Sequence, residues 1–192
     1  MKRTDKLVSL AAMMYGAMLL LALVWGVLRG LTGGWWRFEN WVDVPPAAVL
    51  GIALGLTGVL LSLHLDRRVP SVRKLGDRFA AILAGASTRD AIILAALSSL
   101  GEELLFRGCL QEEWGLWPAT LLFAIVHTGP GKVYLWWTAS AFVFGLGLAL
   151  LYDYQGGLLA PILMHFTINA INIRLLGQRG QVDRSDQLNY DF

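Results

Sequence analysis

Charge is scarce in this chain. Of its 192 residues only 16% are Asp, Glu, Lys or Arg, against about 25% in an ordinary soluble domain. A charged, water-facing surface of the usual extent is therefore excluded. Cysteine is nearly absent: Cys109 stands alone, so no internal disulfide forms and no redox compartment follows. No strong excess of either sign exists, because the formal net charge is +2. The basic residues cluster between apolar blocks, where they bear on membrane topology and not on nucleic acid. No internal repeat, no low-complexity segment and no H-E-x-x-H motif is present.

What the chain has is apolar length. Hydrophobic residues make up 56% and the mean hydropathy is +0.54. A helix needs roughly 20 apolar residues to cross about 30 Å of hydrocarbon. Segments 7–28, 46–65, 89–110, 117–128, 133–153 and 157–176 fit or approach that length. The expected fold is all-α, a polytopic membrane bundle of about six spans forming a single domain over 1–192. The segment 117–128 is short and ends at His127-Thr-Gly-Pro-Gly, so it reads as a half-span shielded by its neighbours. The run 7–28 is too long for a signal-peptide core and lacks a small-residue cleavage pattern, so it reads as a retained first span.

Charge asymmetry then sets an expected orientation. With the N-terminus inside, 13 of the 16 Lys and Arg fall on one side, the others being Arg29, Arg37 and Arg107. The positive-inside bias predicts both termini in the cytoplasm. Trp35, Trp36, Trp41, Trp114 and Trp117 then read as an outer aromatic belt. Residues 75–83, an apolar set beside Lys74, Asp77 and Arg78, predict a short helix on the cytoplasmic surface. Gly51 and Gly55 form a G-x-x-x-G pair, and Gly145 and Gly147 thin a later span; both predict close helix packing.

Against this background the stretch SSLGEELLFRG, residues 98–108, is anomalous. An ionisable side chain near the bilayer centre costs about 2.5–3.5 kcal/mol on insertion scales, so each one retained there marks function. Glu103 and Arg107 are four apart and share a helix face, acid before base, and so pair. Glu102 lies about 140° from Arg107 on the same helix and faces elsewhere. His127 closes FAIVH, with Phe123 one turn earlier. His165 and Asn169 are four apart in the last span, and Asn172 extends their face. Counted at about 1.5 Å per residue, Glu102, His127 and His165 reach similar depths, in the outer half of the bilayer. His64, beside Leu65-Asp66-Arg67-Arg68, reads as interfacial.

Three motifs in this order, Glu102-Glu103-x-x-x-Arg107, Phe123-x-x-x-His127 and His165-x-x-x-Asn169, resemble the CAAX prenyl endopeptidase and bacteriocin-processing family of intramembrane proteases. The likeness runs from Glu102 to Asn172, within a family-like core of about 88–176, with 1–87 contributing two spans and a basic loop. It implies peptide-bond hydrolysis by activated water on a membrane-associated peptide or C-terminally anchored protein tail. In that scheme Glu102 is the general base, held with Glu103 and oriented by Arg107; His127 binds and polarises the water; His165 and Asn169 stabilise the oxyanion. Some relatives carry an asparagine where this chain has Gly131.

A dry cavity with a carboxylate, an imidazole and an amide suits that chemistry. The expectation is a mechanism without cofactor, although Glu102, His127 and His165 also form a donor set compatible with zinc or another divalent metal. Competing expectations are a proton- or ion-coupled transporter using the same acids and histidines, a non-enzymatic immunity or scaffold protein, and a thiol enzyme using Cys109. The expected setting is a multi-pass protein of a bacterial or archaeal cell membrane, with the bilayer and the peptide as partners.

Overall fold

The structure is a computed structural model; it describes residues 3–36 and 40–190, with side chains described for 6–36 and 40–182. Lys2 and Arg37 lie outside the described residues, as do the side chains of Arg3 and Arg184, so their part in the charge asymmetry stays a reading of the sequence.

Among the described residues eight α-helices follow one another: α1 (Arg3–Arg29), α2 (Val44–Arg68), α3 (Pro70–Leu83), α4 (Thr88–Leu105), the single turn α5 (Glu112–Trp114), α6 (Leu116–Val126), α7 (Leu135–Gln155) and α8 (Leu159–Tyr190). Among the described residues no strand occurs, only one isolated bridge between Trp36 and Gly157. The chain is an integral membrane protein built as a polytopic helical bundle. Lys6–Arg29, Trp41–Arg68, Lys132–Gln155 and Leu159–Val182 are each long and apolar enough to cross, and a fifth crossing arises if the pair Pro70–Leu83 and Thr88–Trp114, bent by 111°, counts as one. The helix α6 has 11 residues, roughly 16 Å, about half a hydrocarbon layer. The six apolar segments thus resolve into four or five crossings and the half-span.

Local chemistry sets several boundaries. Ser87 caps α4 by accepting from the Asp90 amide at 3.2 Å while Asp90 accepts from the Ser87 amide at 2.9 Å, a reciprocal capping box. Pro70 starts α3 where its missing N–H is harmless, which places that helix start five residues ahead of the expected 75. Gly115 has φ +87, a value that a Cβ disfavours, and it separates α5 from α6.

Packing is closest where side chains are smallest. A Cβ at Gly55 would stand 2.7 Å from Thr167 Cβ, and one at Gly51 would strike the Ala160 carbonyl. The G-x-x-x-G pair of α2 therefore seats it against α8, as expected. α4 lies between α1 and α8, and α6 pairs with α7. The tail beyond 176 is not solvated at its start: α8 continues, and a Cβ at Gly177 would meet the Leu83 and Ala86 carbonyls at 3.2 Å.

One member of the tryptophan belt is misplaced by the sequence reading. Trp36, Trp41, Trp114 and Trp117 are exposed, but Trp35 is buried and donates from Nε1 to the Gly108 carbonyl at 2.8 Å. After Leu105 the α4 axis continues as a π-helical segment, Phe106–Gln111, and such local widening re-aims side chains and is frequent at functional sites.

Candidate active site

The π segment and α4 together carry the buried charge. Glu102, Glu103 and Arg107 are 4%, 0% and 1% exposed. Arg107 donates to Glu103 Oε1 at 3.2 Å and to the Gly145 carbonyl at 2.9 Å, and its guanidinium lies 4.3 Å from the centre of the Phe123 ring. Gly145 is necessary for this: a Cβ there would stand 2.8 Å from Phe123 Cδ1 and 3.4 Å from Arg107 Nη2. The i,i+4 pair expected from spacing is present, and Arg107 bonds Glu103, with no direct bond to Glu102.

Glu103 has a second partner that spacing did not announce. His165 Nδ1 lies 2.7 Å from Glu103 Oε1, so one carboxylate oxygen joins α4, the π segment and α8. Because a carboxylate only accepts, His165 Nδ1 carries the hydrogen and Nε2 is the atom turned to the cavity. Glu102 faces differently: its Oε2 is 3.4 Å from His127 Nε2 and 3.9 Å from His165 Nε2. His127 Nδ1 lies 2.7 Å from the Phe123 carbonyl, which again fixes the hydrogen on Nδ1 and leaves Nε2 facing the glutamate. Among the described residues Glu102 Oε2 is buried with no hydrogen-bond partner.

Asn169 donates to Ser98 Oγ at 2.9 Å, and Asn172 Oδ1 accepts from Ser62 at 3.2 Å. Ser98 was missed by the sequence reading, although it precedes Glu102 by four and so shares its face. Trp137, whose ring centre is 5.4 Å from that of His127, was also missed and carries no spacing signal. Gly131 has φ +99 and opens the turn before α7, so an asparagine there would be strained. His64 is exposed at the end of α2 and is not among the cavity residues.

The thiol reading fails on geometry. Cys109 is fully buried, its Sγ directed at the Ala22 carbonyl at 3.4 Å, and it lines no cavity described here. Among the described residues no three His, Cys, Asp or Glu, Glu102, His127 and His165 included, form a group that could hold a metal ion.

Two cavities meet at this cluster. One of about 550 Å³ contains Glu102, His127, His165, Asn169 and Asn172 and extends to Asp66, Gly76 and Arg179. The other, about 520 Å³, lies between α1, α6 and the π segment and has an almost wholly apolar wall, including Met18, Trp25 and Leu122. At the far end of the first, Arg179 of α8 bonds Asp66 of α2 at 3.0 Å and also bonds Asp77 of α3.

Residues 85–171 match the family described as type II CAAX prenyl endopeptidase, Rce1-like, so the resemblance carried by the three motifs is shown over that region. The chain is also 31% identical over 125 residues to YpbD of Bacillus subtilis strain 168, a protein described as uncharacterized; the match covers 63% of this chain and 64% of that relative's length. No solved structure matches the chain.

Proposed function

We propose, from the match of residues 85–171 to the Rce1-like family and from the cluster around Glu102, that the protein is an intramembrane endopeptidase. Its substrate is a membrane-associated peptide or anchored protein tail, cut by water that Glu102 activates. The observation that carries the reading is the pair of facing acceptors, Glu102 Oε2 and His127 Nε2, 3.4 Å apart. With His127 neutral, both atoms hold lone pairs, and a water donating one O–H to each satisfies both. Such a water presents its own lone pair to the cavity, where a carbonyl carbon is attacked.

In the reaction Glu102 takes one water proton as the oxygen bonds to the carbonyl carbon, and the C=O π pair moves onto oxygen. The oxyanion is met by His165 from Nε2, with the imidazolium form held by Glu103 through Nδ1–H, and by the second N–H of Asn169. Collapse expels the nitrogen, which receives its proton from Glu102, so the base is restored. Arg107 takes no part in proton transfer; it balances Glu103. Asn169 is oriented by Ser98.

We also assign the mouth of the larger cavity to the cytoplasmic face. Its far end at Asp66, Gly76 and Arg179 lies among the basic-rich ends of α2, α3 and α8, which the positive-inside bias puts in the cytoplasm. A site whose depth falls in the outer half is thereby reached from the inner side. A bacterial or archaeal cell membrane is the proposed setting.

The test is cleavage of candidate membrane peptides by purified protein and by Glu102→Gln, each with and without a zinc chelator. The expected result is activity abolished by the substitution and indifferent to chelator. Equal cleavage by Glu102→Gln overturns the glutamate mechanism, and chelator-sensitive cleavage returns Glu102, His127 and His165 to the role of ligands.

A further inference from the structure

Glu102 is served from one more direction, by a helix outside the 85–171 match. α1 is the most lipid-facing span, with large apolar side chains such as Leu10, Met13, Leu20 and Leu28 exposed. Its inward stripe includes Tyr15, Met18 and Ala22, spaced as one helix face. Tyr15 is the polar member of that stripe, and its side chain shares a cavity wall with the Glu102 carboxylate. The backbone fixes this approach: a Cβ at Gly101, the residue before Glu102, would stand 3.0 Å from the Tyr15 carbonyl oxygen. Tyr15, Glu102, His127 and Trp137 are the four residues that line both cavities, so Tyr15 stands in the partition where the two spaces meet.

The geometry points to Tyr15 as a positioning residue for the reaction: its phenolic O–H donates to the Glu102 carboxylate and keeps the oxygen facing His127 turned to the water. A phenol is suited to this place. Its ring fills apolar wall while its tip supplies one donor, and a carboxylate confined among apolar groups gains most from a donor that needs no reorganisation. The other groups facing Glu102 are His127 from α6 and His165 from α8, both through Nε2. With Nδ1 of His127 committed to the Phe123 carbonyl and Nε2 of His165 turned to the oxyanion, the phenol of Tyr15 is the donor left to the Glu102 carboxylate.

The inference rests on the peptidase reading, and its test separates the two. Tyr15→Phe keeps the ring and removes the donor. Expected are a fall in kcat of about 10- to 100-fold, the range for a hydrogen bond to a charged group, an unchanged KM, an unchanged melting temperature, and no further loss when combined with Glu102→Gln. In parallel, infrared difference spectra against Glu102→Gln isolate the Glu102 carboxylate band, which Tyr15→Phe is expected to shift. Unaltered kcat with an unaltered band overturns the assignment. A rise in KM or a loss of thermal stability without the kcat effect also overturns it, by showing a packing role. A shifted band in a protein that cleaves nothing overturns the peptidase reading and leaves the Tyr15 to Glu102 contact standing.

Discussion

The protein holds two clusters of opposite charge that share one bonding chemistry and differ in burial. In the first, Arg107 and His165 meet Glu103 with all three side chains at most 8% exposed. In the second, Arg179 meets Asp66 and Asp77, with exposures of 25%, 30% and 50%. Both join three chain segments. In the first, water cannot replace a lost partner, so each member depends on the others; in the second it can. A buried pair broken on one side leaves an uncompensated charge, whereas an exposed pair contributes little. Close approach is common to both: a Cβ at Gly145 would stand 3.4 Å from Arg107 Nη2, and one at Gly76 2.8 Å from Asp66 Oδ1 and 3.1 Å from Arg179 Nη1, so burial and not tightness separates the clusters.

The largest effect is expected at the inner cluster. Arg107→Met strips the cation from Glu103 and should destabilise the protein by about 3–5 kcal/mol, read as a lowered melting temperature in detergent; a loss no larger than that of the outer cluster would break the comparison. Glu103→Gln keeps the shape and the acceptor oxygen but leaves Arg107 without its counter-ion. A loss of about 1.5–3 kcal/mol is expected, together with a fall in kcat of roughly 100-fold or more, because the carboxylate that orients His165 is gone. Ser98→Ala removes the partner of a partly buried amide, and a loss of about 1 kcal/mol is expected, with Asn169→Ala adding little to it in a double-mutant cycle. The smallest effect belongs to the mouth: Arg179→Ala should lower stability by no more than about 1 kcal/mol, by less as salt is raised. A salt-insensitive loss of several kcal/mol there would show that the mouth is as dry as the centre.

Much of this was legible before any fold was known. The helical bundle follows from apolar run length, and the short α6 from a run that stops at His127. The Glu103 and Arg107 pair follows from i,i+4 spacing. So does the shared face of His165, Asn169 and Asn172, all of which line the larger cavity. Close packing of α2 was readable from Gly51 and Gly55, but its partner α8 was not. Trp35 was not readable as buried, since an indole beside Trp36 has the composition of an interface anchor; the Gly108 carbonyl accepts its N–H and the missing Cβ of Gly108 leaves room for the ring. Nor was the continuation of α8 beyond 176 readable, because Gly177 and Gly180 look like helix breakers until the last turn of α3 and the residues after it are seen packed on them.

The division follows the range of the forces involved. The sequence alone determined what a single helix decides: its length, its apolar stripe, and which residues three or four apart lie together, because helix pitch is the same everywhere. Only the tertiary structure decided that Glu102 faces His127, that His165 bonds Glu103, that Asn169 meets Ser98 and that Tyr15 of α1 lines the same cavity as Glu102. These partners lie on different helices, and their meeting depends on how far each helix rotates and how closely it approaches. Small residues such as Gly101 and Gly145 set those quantities by what they let pass.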